Sequence, residues 1–144
     1  MAVTALNVRI DANRGRSLTV DADLGGAATI GNAVYMASDD DIEEADANAA
    51  ASVKAIGILV GLGTEVPGTT VGAAGDRGTV CTFGLVYGFS SLTPGALLYV
   101  SETTGAITHT APSGAGTWTY AIGYAWDAAT VFVQPGLVAP VSNS

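Results

Sequence analysis

A chain of 144 residues with 12% charged positions is one domain's worth, and a domain of that size hides roughly 68–70% of its unfolded surface, so it needs neither disulfides nor metal to stand. The net charge of −8, with one lysine and four arginines, excludes nucleic acid and an anionic membrane surface as partners, because both are held by clustered cations. Mean hydropathy is +0.40, yet the best apolar stretch, Ile56–Leu62, is far shorter than the roughly 18 residues that mark a membrane helix.

Residues 1–26 stand apart. Arg9, Arg14 and Arg16 face only Asp11 within the first 16 positions, a net +2, while the remaining residues carry two basic and twelve acidic groups, a net −10. No basic, apolar leader precedes Arg9 and Asp11, so no signal peptide is expected and the chain is expected to be made and folded in a cytoplasm. Leu6–Ile10 and Ser17–Val20 alternate in polarity like strands, with Asn13-Arg14-Gly15 as the turn between them. The segment is expected to be an N-terminal arm or hairpin ending at Gly25-Gly26, and its arginines to reach an acidic neighbour. Residues 27–144 follow as a single β domain.

From Ala33 the strand signals recur. Candidates are Ala33–Ala37, Ala55–Gly61, Thr79–Phe89, Ala96–Ser101, Ala106–Thr110, Trp118–Ala125 and Thr130–Gln134. Gly84 inside the third predicts a bulge or a corner, and Ser101–Ala106 reads as a hairpin loop. The only helical stretch expected is a turn or two within Glu43–Ser52, where the acids lead, as a helix dipole prefers. Gly61–Gly78 reads as a long loop holding a poor strand. Strong helix formers are scarce and short apolar pieces punctuated by 19 glycines abound, which predicts an all-β barrel or sandwich.

Two pieces of the chain resemble each other. Gly31-Asn32-Ala33-Val34-Tyr35-Met36 aligns with Gly95-Ala96-Leu97-Leu98-Tyr99-Val100, and Ala55-Ile56-Gly57 with Ala121-Ile122-Gly123, at separations of 26 and 28 residues between the leading glycines and the trailing ones. Two similar β units in one core are the reading. Period 2 sets Val34 with Met36, and Leu98 with Val100, on one face, and Tyr35 and Tyr99 on the other.

Chemistry has few carriers. His109 is the sole histidine and Cys81 the sole cysteine, so one chain makes neither a zinc site nor a disulfide, and Cys81 reads as a small buried hydrophobe. The run Asp39–Asp46 lacks the spacing and central glycine of an EF-hand loop and reads as a solvated acidic loop. No nucleophile elbow, P-loop or dinucleotide fingerprint is present. The chain is expected to bind without catalysing and to need no cofactor or metal. Trp118, Tyr120, Tyr124 and Trp126 share one parity, so an unbroken strand would set all four on one face. They read first as core or intersheet packing, and second as a sticky stripe for a sugar or protein partner.

From Ala27 to Pro135 the order of pieces is similar to the small capsid decoration, or cement, proteins of tailed bacteriophages. The resemblance rests on Gly31–Tyr35, Val53–Ile58, Gly84–Gly88, Leu92–Ser101, Gly105–Thr108, Ala121–Ala125 and Thr130–Pro135. It implies a compact β domain added to the outer surface of an assembled capsid. There it would bind and stabilise the major capsid protein, alone or as a homo-oligomer. The residues expected to meet a partner are Arg9, Arg14, Arg16, Tyr35, Tyr99, Trp118 and Tyr120. The alternative is a carbohydrate- or receptor-binding β module of a phage fibre or cell surface.

Overall fold

β-branched and small residues in short alternating runs favour pleated backbone, and in the computed structural model, which describes residues 3–12, 14–63, 69–136 and 138–144, every regular element is a strand. In chain order these are β1 (Thr4–Ile10), β2 (Leu18–Asp23), β3 (Ala28–Thr29), β4 (Ala33–Met36), β5 (Ile42–Glu44), β6 (Ala55–Leu62), β7 (Val71–Gly72), β8 (Arg77–Ser90), β9 (Leu97–Val100), β10 (Ile107–Thr108), β11 (Thr117–Thr119), β12 (Ala121–Ala125), β13 (Thr130–Val133) and β14 (Val141–Asn143). Ten of them form one curled antiparallel sheet, a half-barrel, in the order β10-β9-β12-β13-β8-β6-β4-β5, with β1 and β2 also on β8. Among the described residues two small sheets, β3 with β7 and β11 with β14, accompany it.

The 14-residue β8 is the spine. Gly84, near its middle, has φ +129°, and a Cβ there would lie 2.9 Å from the Cα of Ser17. Only glycine takes this corner without strain. The first half of β8 pairs with β6 and β2, the second with β13 and β1.

On either side of the corner the chain repeats itself. The first unit runs β5-β4-β6-β8 and the second β10-β9-β12-β13. Tyr35 pairs with Ala55 and Val34 with Gly57 across a bulge, as Tyr99 pairs with Ala121 and Leu98 with Gly123. The Gly31 amide donates to Leu59 O at 2.8 Å, and the Gly95 amide to Ala125 O at 2.8 Å. A Cβ on Gly57 would strike the Cys81 carbonyl of β8, and one on Gly123 the Phe132 carbonyl of β13. The two similar β units are therefore present down to register and bulge.

The main core lies between the units and holds Ile58, Val86, Leu98, Val100, Ile122 and Val131, all fully buried. A second cluster lies on the other face of the first unit, where Leu24 and Ala28 cover Val34, Ile42, Leu59 and Val80. Each large aliphatic side chain so buried contributes about 1.5–3 kcal/mol. The first unit is thus covered on both faces.

Three expectations change. β1 and β2 make no hairpin: both run antiparallel to β8, β1 on its second half and β2 on its first, and residues 11–17 join them across the corner. Asn13 of the expected turn lies outside the described residues, as do residues 64–68 of the expected Gly61–Gly78 loop. Glu43–Ser52 forms no helix. Glu43 and Glu44 are drawn into β5 by pairing with β4, and only one i to i+4 bond, Val53 N to Ala49 O at 3.1 Å, survives among the alanines. Asp46 breaks the segment by accepting from the Asn48 amide and the Ser52 hydroxyl at 3.0 Å each, a local competition with helix typical of Asp and Ser. Finally, Trp118–Ala125 is two strands, with Tyr120 between them and a bulge between Ala121 and Gly123.

Candidate interaction surface

That break decides the aromatics. Tyr120 turns inward and is 8% exposed, and Trp118 is half-buried against the same main core. Burial pushes the Tyr120 hydroxyl above its ordinary pKa, against the opposing pull of the Gly136 backbone. The bulge sends Tyr124 and Trp126 to the opposite, outer face of the second unit. Neither Trp118 nor Tyr120 therefore belongs to the surface that their neighbours build.

On this outer face Tyr124 stacks on Phe132 from the neighbouring strand, with centroids 5.3 Å apart and planes 13° off parallel. Phe83 meets Phe132 edge-on at 5.2 Å, and Trp126 leans on it at 6.1 Å. Such ring pairs add about 0.5–1.5 kcal/mol beyond burial, so the cluster is rigid, yet it is not covered. Trp126 is 49% exposed, Leu97 47%, Phe83 40% and Tyr87 37%, and Leu18, opposite Phe83, is 65% exposed. The parity set for Tyr99 holds: it shares this face with Leu97, while Leu98 and Val100 point into the core. Its counterpart Tyr35 also lies opposite Val34, but there it packs half-buried against the main core. Met36, grouped with Val34 by parity, ends 46% exposed beside the hairpin turn.

The N-terminal arginines border the same face. Arg9 on β1 lies over the Tyr87 ring, 4.5 Å from its centroid. Arg14 folds back across the sheet, donating to Asp11 and Asp127 at 2.8 Å each and to the Thr130 hydroxyl at 2.8 Å. Its own pKa is raised, first by Asp127 and then by Asp11. Burial works against the Asp127 charge, but the Ala129 amide and the Arg14 and Thr130 side chains outweigh it and hold the carboxyl below its ordinary range. Arg9, Arg14, Ile10, Asp11 and Tyr87 enclose a cleft of about 370 Å³. Arg16 is exposed in the connecting segment. The arm is paired with the body: Val8 is buried, and Gly31 leaves room for Ala5 and Val8 with no space for a Cβ.

Elsewhere several polar groups are engaged in structure. His109 Nε2 accepts from the Thr93 amide at 3.0 Å, pinning the turn before β9. Cys81 is fully buried, which pushes its thiol above its ordinary pKa and leaves little thiolate for chemistry. Within Asp39–Asp46 the carboxylates turn to different neighbours; Glu44, for example, accepts from the Thr29 amide at 3.0 Å and from the Asn32 side chain. Among the described residues no three His, Cys, Asp or Glu side chains gather to hold a metal.

Sequence reasoning missed Leu97, Phe83, Tyr87 and Phe132 as surface residues. The signal for Leu97 was present, since period 2 ties it to Tyr99. That for Phe132 required knowing which strand crosses Gly123. No protein-family model matches the chain, and no similar sequence is found among curated proteins.

Proposed function

We propose that the protein is a structural component of a virion, a decoration protein that adds to the outer surface of an assembled tailed-phage capsid and stabilises it. Its partner on this reading is the major capsid protein, and it performs no catalysis. The observation that carries the proposal is the open aromatic face of the second unit, set on a rigid sheet. Protein interfaces concentrate Tyr, Trp, Phe and Arg at their centres, and this face offers all four. A sugar platform also uses aromatic rings, but it needs hydrogen-bond donors beside them. Here the donors of Arg14 are taken by Asp11, Asp127 and Thr130. Leu92–Ser101, Ala121–Ala125 and Thr130–Pro135, three of the pieces on which the family resemblance rests, also supply strands of this face.

The test is co-sedimentation of the purified chain with undecorated phage shells. Saturable uptake at a fixed copy number per shell, and a higher temperature of shell disruption, are expected. Retention on polysaccharide with no uptake by shells would transfer the face to the carbohydrate-binding alternative.

A further inference from the structure

The internal repeat says what kind of surface the open face is. Ala33, Tyr35, Ala55, Ile58 and Cys81 lie on one face of the first unit, and all pack into the core between the units. Their counterparts by register and glycine contact are Leu97, Tyr99, Ala121, Tyr124 and Phe132. In the first unit that face is covered by the second unit. In the second unit it is open, and its side chains are larger at three of the five positions, Leu97, Tyr124 and Phe132. An exposed sheet face enriched in large apolar groups is the reverse of what a solvated surface needs.

We infer that a second copy of this chain covers this face, the two second units packing sheet on sheet about 10 Å apart. The inference rests on reading the face as a protein-docking surface, and it names the occupant of that face while the chain is off the shell. Two observations favour a copy. Leu18, Phe83, Tyr87, Leu97 and Trp126 are 37–65% exposed. With the half-buried Tyr99, Tyr124 and Phe132, they present on the order of 600 Å² of apolar area, taking aromatic side chains at roughly 150–250 Å² each. That approaches the roughly 800 Å² per partner of a stable interface. The second observation is charge. Two copies of a chain at −8 repel wherever carboxylates meet, but on the border of this face Arg14 pairs with Asp11 and Asp127, and Arg9 stacks on Tyr87. An isologous two-fold contact is the commonest way for such a patch to close on itself.

Sedimentation velocity of the full chain from about 1 to 100 µM tests this. The expected species has twice the 14.3 kDa chain mass. Leu97→Glu and Trp126→Ser, both at nearly half-exposed positions, should weaken association about tenfold or more, as loss of a hot-spot residue does, with unchanged far-UV circular dichroism. Val71→Glu, at a 53% exposed position on the separate β3–β7 sheet, should leave the dimer intact. A wild-type chain that stays at 14.3 kDa throughout overturns the inference, as does a dimer indifferent to both face variants. The same proteins applied to shells separate the two proposals. A monomer that loses shell uptake through Leu97→Glu makes the shell the occupant and keeps the functional reading. A dimer that no shell takes up keeps the inference and removes that reading.

Discussion

The two β units share register, bulge and glycine crossings, but they differ in what covers them. The first has core on both faces, with Val34 and Leu59 against one cluster and Ala33 and Ile58 against the other. The second has core on one face only, and its other face carries exposed rings. One backbone plan thus supports either a two-sided core sheet or a one-sided sheet with a working surface. Side-chain size at equivalent positions marks which is which. Small residues, Ala33 and Cys81, sit where a neighbouring sheet must approach, and large ones, Leu97 and Phe132, sit where none of this chain does.

The arm provides the severest way to break the comparison. β1 lies on the second half of β8, and Val8 and Ile10 close the main core shared by the units. A variant beginning at Ser17 is expected to lose at least about 10 °C in melting temperature, a shift that corresponds to several kcal/mol at this size. An arm that can be removed without thermal cost would mean that the units hold together without β1.

Next come the two glycine crossings. Gly57→Ala and Gly123→Ala each force a methyl against a neighbouring carbonyl, and overpacking of this kind costs roughly 1–3 kcal/mol or more. Urea denaturation should show similar losses at both sites. A loss at only one would end the claim that the crossings are equivalent.

The sharpest contrast is between Ile58 and Tyr124, which occupy the same place in the two units. Ile58 is fully buried, so Ile58→Ala should cost about 2–5 kcal/mol. Tyr124→Ala removes a larger side chain from the half-buried outer face and should cost under about 2 kcal/mol, mainly ring contacts. Equal costs would show that the second unit's outer face is core in all but exposure.

Much of this plan was legible in the sequence. Period-2 runs located most of the long strands, the Gly84 corner announced itself as a lone glycine in a strand, and the paired Gly-x-x-x-Tyr pieces disclosed the two units. What stayed hidden was non-local. β3, β7 and β14 are two or three residues long and exist only because a distant strand pairs with them. The arm looked like a hairpin because local polarity cannot show that both of its strands prefer β8 to each other. The aromatic stripe misled for a related reason: parity is a property of an unbroken strand, and the break at Tyr120 with the bulge beside it exchanged inside for outside midway. Trp118 and Tyr120 were thus selected with the wrong half of the stripe, while Phe83 and Phe132 reached the surface through strand order.

The smallest effect expected is at Arg14, where the arm meets the second unit's border. Its guanidinium joins Asp11 and Asp127, but Arg14 and Asp127 side chains are 38% and 40% exposed, and pairs so exposed contribute little because water screens them. Arg14→Ala should therefore lower stability slightly, and less at high salt, where the pair is screened. The pH dependence has a fixed sign. Asp127 is held below its ordinary pKa in the folded protein, so the unfolded chain binds the proton more readily. The contribution is complete above the ordinary carboxylate range and is lost as the pH falls through the folded value. Comparing wild type and Arg14→Ala by thermal unfolding from neutral pH downward should show curves that are slightly apart at neutrality and converge in acid. Curves that instead diverge in acid would mean that Arg14 acts through packing across Thr130, and that the arm is held to the second unit by shape and not by charge.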